Sequence, residues 1–267
     1  MTGYLCLGLR MDRVNFEPVA SRRGNPSYQW RFGQRRRLDF IKPFIRGLDS
    51  LILDLGCGVG EYVRAIKLLG VECVGIDIER PRLLDATARD KLVGSRDFAP
   101  ASYLLAASEA LPFEKDIFDA VLMNEVIEHV QDDKETLREI HKILKPGGVC
   151  ILFAPNKGYL FETHGIWWRN KYIFGNIPFV NWLPKSLRDK LVPHAKVYSH
   201  SEFERLAEGL AFDLIEHSYI FPGFDNIYAR SKLVANLLRF VSYRLERTPL
   251  SRLALSHFMI LKKKAQP

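Results

Sequence analysis

Short apolar runs alternate with amphipathic segments along the middle of the chain. Buried strands are predicted at 51–55, 72–77, 102–107, 118–124 and 149–155, and helices at 60–69, 80–92 and 132–145. In the last of these helices Leu137, Ile140 and Ile143 share one face, and Pro146 with the two glycines after it is predicted to end the helix. Such an alternation predicts an α/β fold whose parallel sheet has right-handed crossovers.

The pattern changes on both sides of this region. A helix is predicted at 34–46, interrupted near Pro43. Residues 156–199 are rich in aromatic residues, proline, glycine and histidine without clear periodicity, which is typical of a functional cover. Regular patterns return as a helix at 200–209, a strand at 211–220, a helix at 230–246 and a last strand at 256–264.

Composition and net charge narrow the class of protein only modestly. Among 267 residues, 47% are hydrophobic and the formal net charge is +8, so a globular protein with a basic, solvated surface is expected. The basic run at 31–37 is interpreted as the exposed face of the first helix, with nucleic-acid or lipid phosphates as the alternative. The amphipathic helix at 230–246 packs on the core or contacts a membrane peripherally.

The four cysteines, Cys6, Cys57, Cys73 and Cys150, are far apart and form no CxxC pair. We therefore expect neither a metal site nor a disulfide framework, and we expect a reducing, cytoplasmic compartment. No apolar run is long enough to span a membrane, and the first residues are too short a stub for a secretory signal. Whether translation starts at Met1 or Met11 stays open.

The stretch "LDLGCGVGEY" at 53–62 is a glycine-rich turn behind a strand. Its glycines are spaced G-x-G-x-G, whereas a dinucleotide turn needs G-x-G-x-x-G and a phosphate loop needs Gly-Lys-Ser/Thr. Asp54, at the mouth, would repel a pyrophosphate by about 1–4 kcal/mol but attract a ligand with ammonium and sulfonium charges. Asp77 ends the second strand and can accept hydrogen bonds from ribose hydroxyls. This combination indicates S-adenosylmethionine.

The central region resembles the class I S-adenosylmethionine-dependent methyltransferases, most closely the branch that acts on small molecules, quinones and lipids. Five motifs in order carry the resemblance: "LDLGCGVGEY" (53–62), "GIDI" (75–78), "SEALPFEKDIFDAV" (108–121), "NEVIEHV" (124–130) and "ILKPGG" (143–148). It implies a Rossmann-like, doubly wound, mostly parallel seven-stranded sheet with helices on both faces and an antiparallel last strand.

The patterns along the chain, together with this resemblance, predict a division into four parts. Residues 1–48 form a basic arm and first helix, 49–155 the cofactor-binding core, 156–199 an aromatic-rich insert that covers the substrate, and 200–267 the rest of the sheet with an amphipathic helix.

The resemblance further implies roles for individual residues. Around the methionine part of the cofactor it places Asp54, Gly56, Cys57, Gly58 and Gly60. Asp77 would hold the ribose and Ile78 would pack on the adenine. Ser108 and Glu109 would meet the adenine edge, because Ala107 stands where relatives often carry Asp. Asn124 and Glu125 would close the site after the fourth strand.

Transfer to an acceptor that must lose a proton needs a general base. His164, in the insert, is the first candidate and His129 the second; for both the alternative is a structural role.

The predicted function is methyl transfer to a small-molecule or lipid-like acceptor. A nucleic-acid (RNA) methyltransferase and a non-catalytic S-adenosylmethionine-binding protein are the alternatives. The acceptor, the methylated atom and the oligomeric state stay open.

Overall fold

The computed structural model describes residues 30–45, 50–93 and 101–265. The helices are α1 (Phe32–Ile41), α2 (Glu61–Lys67), α3 (Arg80–Val93), α4 (Asp133–Ile143), α5 (Lys185–Leu191), α6 (His200–Glu204), α7 (Asp225–Tyr228) and α8 (Lys232–Leu245). The strands are β1 (Leu51–Leu55), β2 (Glu72–Asp77), β3 (Ser102–Leu105), β4 (Phe118–Asn124), β5 (Leu144–Pro155), β6 (Phe161–Glu162), β7 (Ile166–Trp168), β8 (Lys171–Ile173), β9 (Ile177–Pro178), β10 (Phe212–Ile220) and β11 (Ser256–Lys263).

Seven strands form one sheet in the order β10-β11-β5-β4-β1-β2-β3. Strands β1 to β5 pair in parallel, whereas β11 is antiparallel to both β5 and β10. The predicted α/β fold and its antiparallel last strand are therefore confirmed. In parallel sheets of this kind ligands bind beyond the carboxyl ends of the strands, where the crossovers diverge, and this edge carries the site described below.

Two clusters of apolar side chains cover the two faces of the sheet. On one face Leu137 and Ile140 of α4 are fully buried, which matches the face predicted for that helix. On the other face Ile41 of α1 packs with Val63 and Ile66 of α2. Helices thus lie on both faces, as the sequence predicted, because each presents one apolar stripe to the sheet.

The boundary between α4 and β5 differs from the prediction. The helix ends at Ile143, and the strand already begins at Leu144, so the Pro-Gly-Gly segment lies inside β5 rather than in a turn before it. Leu144 pairs with Phe118, and the register then shifts before Val149 pairs with Ala120. Gly147 has φ +81°, which allows this irregularity without strain on a side chain.

Other predicted elements are shorter or divided. Strand β3 ends at Leu105, and the helix predicted at 200–209 consists of α6 followed by a 3₁₀ turn at Arg205–Ala207. Near Pro43 the first helix changes to a 3₁₀ turn at Lys42–Phe44, in agreement with the predicted interruption. Residues 127–129 form a turn after β4.

The insert has regular structure of its own, which its sequence did not predict. It contains two small sheets, β6–β9 and β7–β8, a 3₁₀ turn at Val180–Trp182 and helix α5. A small core of Val180, Val192 and Ala195 holds it together. Strands of two or three residues are too short for a hydrophobic period to reveal them.

Two surface predictions have different outcomes. The basic run at 31–37 is not simply an exposed helix face, because Arg36 pairs with Glu246 and Arg37 with Glu125. The basic arm predicted before this run lies outside the described residues, as do Met1 and Met11.

Helix α8 exposes Leu233, Leu237 and Phe240, and its peripheral contact with a membrane stays a prediction. Within the described ranges no helix is long and apolar enough to cross a membrane.

Candidate functional site

The glycine turn after β1 requires glycine at each alternate position. Gly56, Gly58 and Gly60 all have positive φ, at +75°, +55° and +75°, a region that other residues rarely adopt. A Cβ at Gly56 would lie 2.5 Å from Cγ2 of Val126, and one at Gly60 would lie 2.3 Å from the hydroxyl oxygen of Tyr103. The turn is thus a close-packed cradle in which a ligand can approach bare backbone.

Two carboxylates on neighbouring strands flank this cradle. Asp77, at the end of β2, accepts hydrogen bonds from the backbone N–H groups of Gly58 and Glu79, both at 2.8 Å. Asp54 is 2% exposed, and its Oδ2 has no hydrogen-bond partner among the described residues. Burial, together with the charge of Asp77, raises the pKa of Asp54 to about 7.

These features fit a cationic nucleoside. The unpartnered oxygen of Asp54 would gain from a positive charge beside it, and Asp77 retains lone pairs that can accept from hydroxyl groups. Cys57 is buried within the same turn. Ile78 is 71% exposed just beyond Asp77, where an apolar ring could cover it. The roles that the sequence assigned to these residues remain predictions, and the structure brings the residues together.

Ser108 and Glu109 are engaged with each other and with the turn before α4. Glu109 Oε1 accepts from the backbone N–H groups of Gln131 and Asp132, at 2.9 and 3.4 Å. Its Oε2 accepts from the Ser108 hydroxyl at 2.9 Å. Burial tends to raise the pKa of Glu109, but these hydrogen bonds lower it below its ordinary value. Glu109 thus positions a loop, and its contact with adenine stays a prediction.

Arg37 joins the first helix to the end of β4, and sequence reasoning missed this role. Its guanidinium donates to Asn124 Oδ1 at 2.5 Å and to Glu125 Oε1 at 2.6 Å. Ser256 also donates to Glu125, at 2.6 Å. Burial opposes ionisation of Glu125, but Arg37 and Ser256 lower the pKa of its carboxyl. Asn124 and Glu125 lie at the carboxyl end of β4, as predicted, and Arg37 holds their side chains.

A histidine cluster lies beside these residues. His129 and His164, from segments far apart in the sequence, have ring centroids 5.2 Å apart. The Nε2 atom of each lies 3.9 Å from Oε1 of Glu128. Burial, and then the neighbouring Glu125, raise the pKa of Glu128 well above its ordinary range, whereas burial lowers the pKa of His129. Both candidate bases thus meet at one buried carboxyl group.

A buried ion pair anchors His164. Glu162 is 1% exposed and accepts from His164 Nδ1 at 2.9 Å and from Arg188 Nη2 at 2.7 Å. Burial would raise the pKa of Glu162, but the hydrogen bonds from His164 and the charge of Arg188 lower it to about 2. In the sequence, the motif "NEVIEHV" is the signal for a buried acid at Glu128, because the apolar residues Ile127 and Val130 flank it. No local sequence pattern marks Arg188.

Comparison with known proteins agrees with this geometry. A family described as "Methyltransferase domain" matches residues 53–152. Ubiquinone biosynthesis O-methyltransferase of Chromobacterium violaceum is 30% identical over 175 residues, which cover 64% of this chain and 68% of that protein. Malonyl-[acyl-carrier protein] O-methyltransferase of Salmonella typhimurium is 28% identical over 161 residues, which cover 59% of this chain and 61% of the Salmonella protein.

A solved structure shows the same fold. The S-adenosylmethionine dependent methyltransferase from Mesorhizobium loti superposes with a TM-score of 0.57 at 19% sequence identity. The match covers 86% of this chain and 98% of that one. The likeness therefore extends beyond the motif-bearing core to most of the chain.

Proposed function

Since the chain belongs to the S-adenosylmethionine-dependent methyltransferase family, we propose that it transfers a methyl group to a hydroxyl oxygen of a small-molecule or lipid-like acceptor. The observation that carries the proposal is the buried, unpartnered carboxylate oxygen of Asp54 beside the glycine cradle and Asp77. The relatives described above are named as O-methyltransferases, one of ubiquinone biosynthesis and one of malonyl-[acyl-carrier protein], which supports oxygen as the methylated atom and a small-molecule or lipid-like acceptor.

The chain's own residues would hold and orient the cofactor, which when bound supplies an activated methyl group on a sulfonium leaving group. Asp54 would pair with the ammonium end, the backbone of the glycine turn would approach the ligand closely, and Asp77 would accept from the ribose. Good alignment of two reacting groups can supply about 7–11 kcal/mol of the barrier. The main task of the fold is therefore to position the methyl group and exclude water.

An acceptor hydroxyl would have to give up its proton to a side chain of the protein as it takes the methyl group. The side chains suited to this step are those of the cluster Glu128, His129 and His164. In the neutral ring, a His164 whose Nδ1 donates to Glu162 has a bare Nε2. General bases placed in this way contribute about 10²–10⁴-fold. His164 remains the first candidate and His129 the second.

Asp54 gives the cofactor site a pH dependence. Its pKa of about 7 means that the carboxyl is largely protonated at pH 5.5 and ionised above pH 7, whereas an α-ammonium keeps its charge to about pH 7.7. We expect affinity for S-adenosylmethionine to rise about tenfold between about pH 5.5 and 7.5. Titration calorimetry across this range should show the rise in the wild type and a nearly flat profile in Asp54→Asn.

The same group affects stability without ligand. Because its folded-state pKa lies above the unfolded value, the folded chain holds the proton more tightly, and the free energy of unfolding falls as pH rises from about 4 to about 7. Asp54→Asn should reduce that slope. A wild-type affinity that does not change with pH would contradict the role given to Asp54.

Labelled cofactor tests the proposed reaction. The protein, incubated with methyl-labelled S-adenosylmethionine and a cell extract separated into lipid, small-molecule and RNA fractions, should label the lipid or small-molecule fraction. Mild acid and base hydrolysis of the product then distinguishes an ester from an ether. Label confined to RNA would contradict the proposal, as would tight cofactor binding with no labelled product in any fraction.

A further inference from the structure

Glu128, His129 and His164 bring three ligand atoms close together. Glu128 and His129 follow β4, and His164 lies in the insert after β6, so the fold rather than the sequence assembles them. One carboxylate oxygen and two imidazole nitrogens lie within 4.8 Å of one another. Both Nε2–Oε1 separations, from His129 and from His164 to Glu128, are 3.9 Å, which is too long for direct hydrogen bonds.

The hydrogen bonds of the two rings fix which nitrogen is free. His129 Nδ1 lies 2.9 Å from the backbone carbonyl oxygen of His194, and a carbonyl oxygen can only accept, so Nδ1 carries the proton. His164 Nδ1 lies 2.9 Å from Oε1 of Glu162, whose carboxylate Arg188 keeps ionised, so there too Nδ1 donates. In the neutral rings both Nε2 atoms therefore present lone pairs beside Glu128.

Glu128 supplies a second, independent observation. Its side chain is buried, and neither carboxylate oxygen has a hydrogen-bond partner among the described residues. Two imidazole lone pairs converge on this unpartnered carboxyl group, and Glu125 adds a second carboxyl group nearby. The buried Glu128 side chain needs a proton or a cation in such a position.

We propose that Glu128, His129 and His164 bind a divalent transition-metal cation, with Zn²⁺ as the ion that best suits two imidazoles and one carboxylate. Ligand bonds of about 2.0–2.2 Å in tetrahedral geometry would place these atoms about 3.4 Å apart. The two Nε2–Oε1 separations of 3.9 Å need only a small contraction, and the separation of the two imidazole nitrogens is at most 4.8 Å. Three protein ligands would leave a coordination position open, as in catalytic zinc sites.

The surroundings resemble the second layer of a metal site. Metal-bound histidines usually donate their other N–H to a carboxylate or a backbone carbonyl. His164 does so to Glu162, which Arg188 holds at 2.7 Å, and His129 does so to the carbonyl of His194. These partners orient both rings before any ion arrives. Sequence analysis predicted no metal site, because that expectation rested on cysteine spacing alone.

The site deepens the proposed function. If the reaction is methyl transfer to a hydroxyl, a cation at the open position would lower the pKa of that hydroxyl. His164 and His129 would then act as ligands and not as general bases. Binding of the ion itself does not depend on the reaction, so the test below uses neither S-adenosylmethionine nor an acceptor, and its failure would leave the methyl-transfer proposal intact.

A second cluster in the protein provides the control. His200, Glu204 and His217 also place their ligand atoms within 4.8 Å of one another. There, however, Glu204 Oε1 already lies 3.0 Å from His217 Nδ1 and 3.3 Å from His200 Nε2, and its side chain is 37% exposed. No unpartnered buried group is found in that cluster within the described residues.

Zinc titration of the tag-free, chelator-treated chain tests the proposal. Calorimetry with ZnCl₂ should show one equivalent bound, and Co²⁺ in its place should give a visible absorption band. Glu128→Gln and His164→Ala should each weaken Zn²⁺ binding at least about tenfold, with His200→Ala unchanged. Glu128→Gln keeps the size of the side chain, and melting curves verify that each variant folds.

Two outcomes would overturn the proposal. One is a wild-type chain that binds no stoichiometric Zn²⁺. The other is binding that survives both Glu128→Gln and His164→Ala but is lost in His200→Ala, which would assign the ion to the other cluster.

Discussion

Replacing Arg188 with alanine should lower the free energy of unfolding by about 3–5 kcal/mol, the usual cost of removing one partner of a buried ion pair. Arg188 is 2% exposed; it donates to Glu162 and, at 2.7 Å, to the backbone carbonyl of Ala195. Without it the Glu162 carboxylate stays buried beside His164 alone. Urea denaturation followed by tryptophan fluorescence suits the measurement, because Trp167, Trp168 and Trp182 all lie in the insert.

Matched variants separate the buried pair from a general effect of removing arginine. Arg138 pairs with Glu135 at 2.5 Å on the surface, with side chains 56% and 40% exposed, so Arg138→Ala should change stability by less than about 1 kcal/mol. The double variant Glu162→Gln with Arg188→Met should recover part of the loss, since no unpaired charge remains buried. Equal losses for Arg188→Ala and Arg138→Ala would refute the anchoring role.

Gly60→Ala should disable the cofactor cradle. The substitution forces a side chain into a residue with φ +75° and places its Cβ 2.3 Å from the Tyr103 hydroxyl. The backbone strain costs about 1–2 kcal/mol and the steric clash about 1–3 kcal/mol more. Tyr103 also donates to Asp90 at 3.2 Å, so it cannot move without loss. We expect affinity for S-adenosylmethionine to fall at least about tenfold, measured by calorimetry.

Gly209→Ala is the control for Gly60→Ala. Gly209 has φ +83°, yet a Cβ there would meet nothing within 4 Å. It carries the backbone strain without the clash, so it should lose about 1–2 kcal/mol of stability and keep its affinity for the cofactor. If both variants bind the cofactor as the wild type does, the glycine turn does not form the cradle.

The sheet could be predicted from the sequence because its signals are local. Each strand is a short apolar run, and the helix α4 places Leu137 and Ile140 on one face at helical spacing, so the packing follows from the pattern. Local signals also revealed the glycine turn and Asp77, since parallel strands bring their carboxyl ends to one edge of the sheet. Boundaries were less well predicted: a Pro-Gly-Gly segment forms part of the strand that begins at Leu144, and β3 ends at Leu105 instead of 107.

The acceptor side could not be predicted in the same way. Its contacts join residues far apart in the chain: Arg37 with Glu125, Arg188 with Glu162, and His164 with Glu128. A histidine's free nitrogen depends on its hydrogen-bond partner, which only the fold supplies. The sequence therefore indicated His164 and His129 as separate candidate bases, whereas the structure places them around one buried carboxyl group.

The most direct test of the account is calorimetric binding of S-adenosylmethionine to the wild-type chain and to Asp77→Ala. Asp213→Ala, which removes an exposed carboxylate that pairs with Lys264, serves as the control, and melting curves verify folding. We predict one cofactor bound by the wild type and by Asp213→Ala, and an affinity at least about tenfold lower, or 1.4 kcal/mol, in Asp77→Ala. An unchanged affinity in folded Asp77→Ala would contradict the account.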